Sequence, residues 1–268
     1  IGFAHRAHQV RKASALLLTA SCLIEMCKAA HTTSPTATQN TANLMKQASG
    51  ALSKMQQTTE LMLSDGNFDA SSQSTLMSLL SHHRILTHEL ACISGDASTQ
   101  LKLLLSNNLN VEDVLTMAEN SATRGNVTAA SRGFDIALTK LLAAPQRDAE
   151  SIAAVIRHRI EIEEGASVSV GKPHKKMLEL FSAATAQLSL LADLYPHDEA
   201  AWLVTTAFNL GVMNHRMHRL DEGLSMFEAC KKMILQASRS DESLKAMLHR
   251  VDEAIRLTKE SMQKPEEE

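Results

Sequence analysis

Apolar residues recur at three- and four-residue steps along almost the whole chain, which is the pattern of amphipathic helices. The clearest run descends one face in steps of 4, 3, 4, 3 and 4, through Met177, Phe181, Ala184, Leu188, Leu191 and Tyr195. Aromatic residues make up only 3% of the 268 residues, and the few glycines (10) and prolines (5) leave little turn chemistry for a sheet. The sequence therefore predicts an all-α fold of about a dozen helices.

Turn-forming residues predict where the helices end. The predicted breaks are His31–Gln39, Asp65–Asn67, Ser94–Asp96, Arg124–Asn126, Gly165–Pro173 and Tyr195–Asp198. We expect residues 31–40 to form a polar loop or linker and residues 264–268 to form an acidic tail. No composition shift marks a domain boundary, so we expect residues 1–268 to form a single helical-repeat array. Because the chain begins with Ile1 rather than Met, we expect it to be a fragment of a longer protein.

Two windows 93 residues apart share one spacing of small, turn and aromatic residues. They run through Ala118, Gly125, Ala130, Phe134 and Ala137, and through Gly211, His218, Gly223, Phe227 and Cys230. Small side chains let two antiparallel helices approach closely, and the aromatic ring fills the wedge towards the next pair. The spacing resembles the tetratricopeptide repeat (TPR), but the separation is not a multiple of its roughly 34-residue period. We therefore expect an irregular TPR-like α-solenoid of stacked antiparallel helix pairs.

The segment from Tyr195 to Leu235 carries a second resemblance. Tyr195-Pro196 ends one helix, the sole Trp202 opens the next, and Ala207-x-Asn209-x-Gly211 leads into the second window. This string resembles the family of meiosis-specific TPR proteins related to sporulation-specific protein 22, with homologues in yeast, plants and animals. The resemblance covers about forty residues. It departs from the family at Phe208, where Trp is expected, and at Gly223, where Ala is usual.

The resemblance implies a non-enzymatic scaffold that acts in meiotic chromosome synapsis and crossover formation, located in the nucleus on chromosomes. Independently of it, four sparse cysteines without a C-x-x-C pair indicate reduced thiols in the cytosol or nucleus. The same motif can instead encode packing alone. In that interpretation Trp202 anchors the core between stacked helices, and Asn209, if it is buried, needs hydrogen-bond partners.

A general TPR adaptor, of the co-chaperone type that grips a C-terminal carboxylate, is the alternative function. Such adaptors place Lys, Arg or Asn at offsets of −3 and +1 from the small repeat residue. Those offsets hold Phe208 and Val212 in one window, and Leu115 and Glu119 in the other. A carboxylate needs two or more charge-assisted donors, so the sequence disfavours this function. We expect His215 and Arg216 to lie at a partner surface, although they do not suffice to hold a carboxylate.

Other chemistry finds little support in the sequence. Of the twelve histidines, His82, His83 and His88 share a helix, but no H-E-x-x-H motif is present. Glycine-rich phosphate or oxyanion motifs are also missing, so we expect no enzyme activity, no cofactor, no metal and no small-molecule substrate. The net charge of −3 and dispersed basic residues argue against direct nucleic-acid binding. No segment reaches roughly 18 uninterrupted apolar residues, so we expect no membrane span and only proteins as partners.

Overall fold

The computed structural model describes residues 3–33, 38–64, 69–106, 109–170, 174–237 and 242–263. All regular secondary structure in these residues is helical, which confirms the all-α prediction. A short 3-10 helix, Ala192–Leu194, precedes α9. The α-helices are α1 Phe3–Thr33, α2 Thr38–Ser64, α3 Ala70–Ser94, α4 Ala97–Leu104, α5 Val111–Thr123, α6 Val127–Ala143, α7 Ala149–Val170, α8 His174–Leu191, α9 His197–Arg216, α10 Leu220–Ala237 and α11 Glu242–Gln263.

The chain divides into two compact units, residues 1–133 and residues 134–268, and the division falls within α6. Consecutive helices pack as neighbours inside each unit. In the second unit α8, α9 and α10 contact one another, and α11 packs on α9 and α10. The prediction of one continuous array over residues 1–268 stays a prediction.

The first unit is built on the long helices α1, α2 and α3, which contact one another. Alanines form part of its core: Ala20 of α1 and Ala48 of α2 are fully buried in one cluster with Ile24 and Leu52. Because an alanine presents only a methyl group, the two helix axes can approach closely, and the larger side chains fill the remaining space.

A buried polar network joins α3, α4 and α5 in the first unit. The Nε2 atom of His88 lies 3.3 Å from the Ser121 hydroxyl, which donates to the Gln100 side-chain oxygen at 3.2 Å. The Cys92 sulfur lies 3.6 Å from His88 Nδ1. Burial lowers the pKa of His88 to about 4, so the imidazole is neutral near pH 7. The sequence indicated His88 only as a rejected metal ligand, because its partner Ser121 lies 33 residues away along the chain.

The second unit confirms the clearest periodic run. Met177, Phe181, Ala184, Leu188 and Leu191 of α8 are all buried, at 5% exposure or less. Phe181 and Phe227 are among the largest fully or nearly fully buried side chains. The three-and-four spacing therefore identifies the core face of α8, as expected for a helix that is half covered by its neighbours.

Several helix ends differ from the prediction. Two predicted ends are confirmed: Gly95 (φ 72°) caps α3, and Gly125 (φ 74°) lies in the turn after α5. Both glycines have the left-handed backbone conformation that glycine adopts easily. Gly165, however, lies inside α7, because a single glycine is tolerated within a helix at modest cost. The predicted polar loop 31–40 is also too long, since α1 continues to Thr33 and α2 begins at Thr38. The remaining predicted loop residues 34–37, 65–67 and 171–173 and the tail 264–268 lie outside the described residues.

Two described stretches, Ala7–Ala30 and Lys175–Leu194, are long and apolar enough to cross a membrane. This property does not identify a membrane span, because the core helix of a soluble protein has it as well. The second stretch carries Phe181 and Leu188, which are buried in the second unit. The absence of a membrane span stays a prediction.

Candidate functional site

The two sequence windows fold into helix hairpins with the same kind of turn. In the α5–α6 hairpin the residue at offset +7 is Gly125, and in the α9–α10 hairpin it is His218. Both have a positive φ, 74° and 59° respectively. A positive φ is rare for residues other than glycine, although histidine adopts it more often than most. The two turns therefore share a backbone conformation, although one has glycine and the other has histidine at this position.

Backbone hydrogen bonds repeat with the same offset in both turns. Asn126 N donates to the Ser121 carbonyl at 2.9 Å, and Arg219 N donates to the Asn214 carbonyl at 2.9 Å. One residue earlier, Gly125 N donates to the Ala122 carbonyl, and His218 N donates to the His215 carbonyl in the same way. Four residues later, Ala130 N donates to the Asn126 carbonyl, and Gly223 N donates to the Arg219 carbonyl. Equal hydrogen bonding fixes equal local geometry, so the spacing noted in the sequence corresponds to a repeated turn.

Two glycines bring α9 and α10 together. A Cβ atom at Gly211 would lie 2.6 Å from two ring carbons of Phe227, and one at Gly223 would lie 3.1 Å from the Gly211 carbonyl oxygen. Phe227 is 2% exposed and Cys230 is fully buried. The Cys230 thiol donates to the Val204 carbonyl at 3.4 Å, and burial raises its pKa to about 12. Every residue of the predicted second window except the turn residue thus lies in this contact.

The α5–α6 hairpin uses a different close contact. A Cβ atom at Gly133 would lie 2.6 Å from the Ala118 Cβ, so Gly133 allows the approach. The sequence comparison missed Gly133, because the corresponding position of the other window is Met226. A glycine inside a helical pattern is itself a sign of close packing, and this sign could have identified it. The other signature residues Ala130, Phe134 and Ala137 are all buried at 1% exposure or less.

Tyr195 and Trp202 occupy different environments. Tyr195 is 7% exposed, and its hydroxyl has no hydrogen-bond partner among the described residues. Burial, with a smaller contribution from nearby Glu199, raises the pKa of Tyr195. Trp202 is half-buried, and the Arg157 guanidinium lies 4.7 Å from its ring centroid. Trp202 is therefore a cation–π partner at the edge of the core rather than a fully buried anchor.

The motif residues Pro196, Ala207 and Asn209 also differ in burial. Pro196 immediately precedes the first residue of α9, and Ala207 is fully buried. Asn209 is exposed, so its side chain needs no hydrogen-bond partner within the protein. The buried asparagine of α9 is Asn214, whose side-chain nitrogen donates to the Leu210 carbonyl at 2.8 Å.

The predicted partner-surface residues lie at the end of α9. His215 is half-buried, and its Nδ1 atom lies 3.0 Å from the Thr258 hydroxyl of α11. Thr258 is fully buried. Arg216 is exposed. His215 therefore contacts α11 and is only partly accessible, whereas Arg216 is exposed.

A groove between α8 and α10 was not indicated by the sequence. Its volume is about 530 Å³. Apart from Leu178, the side chains along it are small, hydroxylated or amide-bearing, with one acid and one base. The lining residues are Leu178, Ser182, Thr185, Ala186 and Ser189 of α8, and Ser225, Glu228, Ala229, Lys232 and Gln236 of α10. Small residues at three- and four-residue steps on the exposed face of α8 are the only sequence signal for it.

The groove can exchange hydrogen bonds with a ligand along its length. The hydroxyls of Thr185 and Ser225 donate back to their own helices, at 2.7 Å and 2.9 Å, which leaves their oxygens able to accept. Glu228 has a distant ion pair with Lys259 at 3.9 Å, and Lys232 has no ion pair among the described residues. Donors, acceptors and both charges are thus present, a mixture that suits a peptide segment better than an anion or a purely apolar ligand.

Comparison of the chain with known proteins finds no family model that matches and no significant match among curated proteins or solved structures.

Proposed function

We propose that this chain is a non-enzymatic protein-interaction scaffold that binds a peptide segment of a partner in the groove between α8 and α10. The observation that carries the proposal is the groove itself, about 530 Å³ in volume and lined by both helices. Its lining residues extend over three helical turns of α8, from Leu178 to Ser189, which is roughly 16 Å. That length matches about five residues of an extended peptide.

The finer proposal is that the helix pairs belong to an irregular TPR-like α-solenoid. The matched turn hydrogen bonds of the α5–α6 and α9–α10 hairpins support it. A solenoid made of such pairs presents its helix faces to partners without needing catalytic chemistry.

The biological setting that we propose is meiotic chromosome synapsis and crossover formation, in the nucleus on chromosomes. Only the resemblance of Tyr195–Leu235 to the meiotic TPR family supports this setting. Immunostaining of spread meiotic chromosomes tests it: we expect signal along paired chromosome axes and no expression in somatic tissue. Equal expression in somatic tissue, with no chromosomal signal, would contradict the setting and leave the groove proposal standing.

A photo-crosslinking amino acid at Ala186 tests the groove, because Ala186 is an exposed residue of its lining. The matched control is the same amino acid at Thr205, an exposed position of α9 outside the groove. In an extract of meiotic cells we expect one partner to crosslink to position 186 and not to position 205.

Binding measurements with that partner then decide between functions. We expect Ala186→Arg to weaken its affinity by more than about tenfold, or roughly 1.4 kcal/mol, while Thr205→Arg leaves it unchanged. Equal affinity in both variants would exclude the groove. Micromolar binding of a chaperone C-terminal peptide to the wild-type chain would instead favour the general TPR adaptor.

A further inference from the structure

An apolar stripe on α1 faces away from the rest of the first unit. Ala15, Leu18, Cys22 and Met26 are all exposed and are spaced by three, four and four residues. Leu18 is 66% exposed and Met26 is 54% exposed. Side chains at this spacing lie on one helix face, which normally packs against another helix. No described helix covers them.

Opposite charges lie at the two ends of this stripe. Arg11 is exposed one turn before Ala15 and has no ion-pair partner among the described residues. Glu25 lies beside Met26, with 64% of its side chain exposed, and pairs with Lys28 at 2.7 Å. Lys28 is shared with Glu89, so Glu25 keeps capacity for another cation. The stripe is therefore positive towards its start and negative towards its end.

We propose that α1 pairs with α1 of a second copy of this chain in antiparallel orientation, with the two-fold axis at Leu18. Arg11 and Glu25 are each seven residues from Leu18, so each Arg11 faces Glu25 of the second copy. A parallel pair would instead oppose Arg11 to Arg11 and Glu25 to Glu25. Charge complementarity therefore selects the antiparallel pair.

The patch is small, so the dimer is weak. Four exposed side chains per copy bury less area than a stable protein–protein interface requires. We expect a dissociation constant on the order of 10–100 µM, measured by sedimentation velocity over a concentration series.

Charge-swapped variants test the orientation of the pair. Arg11→Glu and Glu25→Arg each place like charges opposite one another, and each is expected to weaken self-association at least about threefold. An equimolar mixture of the two variants restores complementary pairs and recovers the association of the wild type. The control is Leu61→Glu on α2, an equally exposed leucine (70%) outside the stripe, which leaves association unchanged.

The exposed thiol of Cys22 supplies a second, covalent measurement, because Cys27, Cys92 and Cys230 are buried. With the axis at Leu18, the two Cys22 residues are about 12 Å apart along the helices, too far for a disulfide. Residue 15 and Cys22 of the second copy are offset by only about 1.5 Å. Under mild oxidation Ala15→Cys is therefore expected to form a covalent dimer that the wild type does not form.

Four results would overturn the proposal. The first is a monomeric wild type at every concentration, together with an Ala15→Cys variant that does not crosslink. The second is a dimer that Leu18→Glu leaves intact, because its interface must then lie elsewhere. The third is rapid Cys22–Cys22 crosslinking of the wild type, because an antiparallel pair centred on Leu18 holds the two thiols too far apart for a disulfide. Flotation with neutral lipid vesicles, without self-association in solution, would assign the stripe to a membrane surface and also overturn the dimer.

Discussion

Gly211 of α9 lies against the ring of Phe227 of α10, so close that an added Cβ would fall 2.6 Å from two of its carbons. Carbon atoms in contact are normally about 3.5–4.0 Å apart, so the glycine sets how near the two helices can come. Phe227 is 2% exposed and has little space into which to move.

Substitution of Gly211 is therefore expected to destabilise the second unit. We predict that Gly211→Leu lowers the free energy of unfolding by about 1–3 kcal/mol or more through overpacking, measured by urea denaturation. The control is Gly165→Ala in α7, where an added Cβ meets nothing within 4 Å. Gly165→Ala is expected to be neutral or to stabilise by up to about 1 kcal/mol. Unchanged stability of Gly211→Leu would mean that the helices are not in close contact there.

Gly133 and Ala118 are expected to be energetically coupled in the α5–α6 hairpin. Gly133→Ala places two methyl groups 2.6 Å apart, which the helices can relieve only by moving. We predict that Ala118→Gly, in the same chain, recovers at least about 0.5 kcal/mol of the loss. A double-mutant cycle by urea denaturation measures the coupling, and purely additive effects would contradict the contact.

His88 should make the stability of the first unit depend on pH. Its pKa is near 6.5 when solvated and about 4 in the folded chain, because burial disfavours the imidazolium form. The unfolded chain therefore binds more protons between these values, and the free energy of unfolding falls as the pH decreases through this range. We predict a loss of about 2 kcal/mol between pH 7.5 and pH 5 from this group.

The contribution of His88 is isolated by comparison with two variants. His88→Gln is expected to reduce the pH dependence without abolishing it, because burial also lowers the pKa of His83 on the same helix. His82→Gln, at an exposed position of that helix, is expected to keep the full dependence. Identical pH profiles for the wild type and His88→Gln would contradict a neutral buried imidazole.

Trp202 reports on the second unit alone, because it is the only tryptophan of the chain. The Arg157 guanidinium lies over its ring and also bonds Glu199 at 3.0 Å and Glu161 at 3.1 Å. We predict that Arg157→Met lowers the stability of this unit by about 0.5–1 kcal/mol, followed by tryptophan fluorescence. Arg157→Lys should retain part of the interaction, since it keeps the charge but not the planar group. Equal losses in both variants would indicate that the charge is irrelevant.

The sequence predicts the helices and their core faces because both follow from the spacing of apolar residues. The turns at Gly95 and Gly125 are also predictable, since their backbone needs a positive φ that glycine adopts easily. Gly165, in contrast, lies within α7 and has no positive φ. The sequence alone does not distinguish a glycine that ends a helix from one that lies inside it. The predicted loop at residues 31–40 was too long, because polar residues can extend a helix that packing already stabilises.

The candidate site was harder to predict than the helices. Asn209 and Asn214 both lie in α9, but only Asn214 is buried. It follows Ala207 and Leu210 at steps of three and four residues, so it lies on the same buried face. The groove depends on the distance between α8 and α10, which are separated in sequence by the whole of α9. The periodicity of α8 indicates a face of small residues, but no periodicity within one helix encodes that distance, so the sequence does not show that this face lines a groove.

The glycine contact between α9 and α10 has a consequence for the groove on the other side of α10. Because α8, α9 and α10 touch one another, the position of α10 on α9 also sets the width of the channel beside α8. We therefore expect a bulky residue at position 211 to alter the affinity for the proposed peptide from a site that the peptide does not contact. One variant would then change both stability and binding. The two effects are separated only when the free energy of unfolding and the peptide affinity are measured on the same variant.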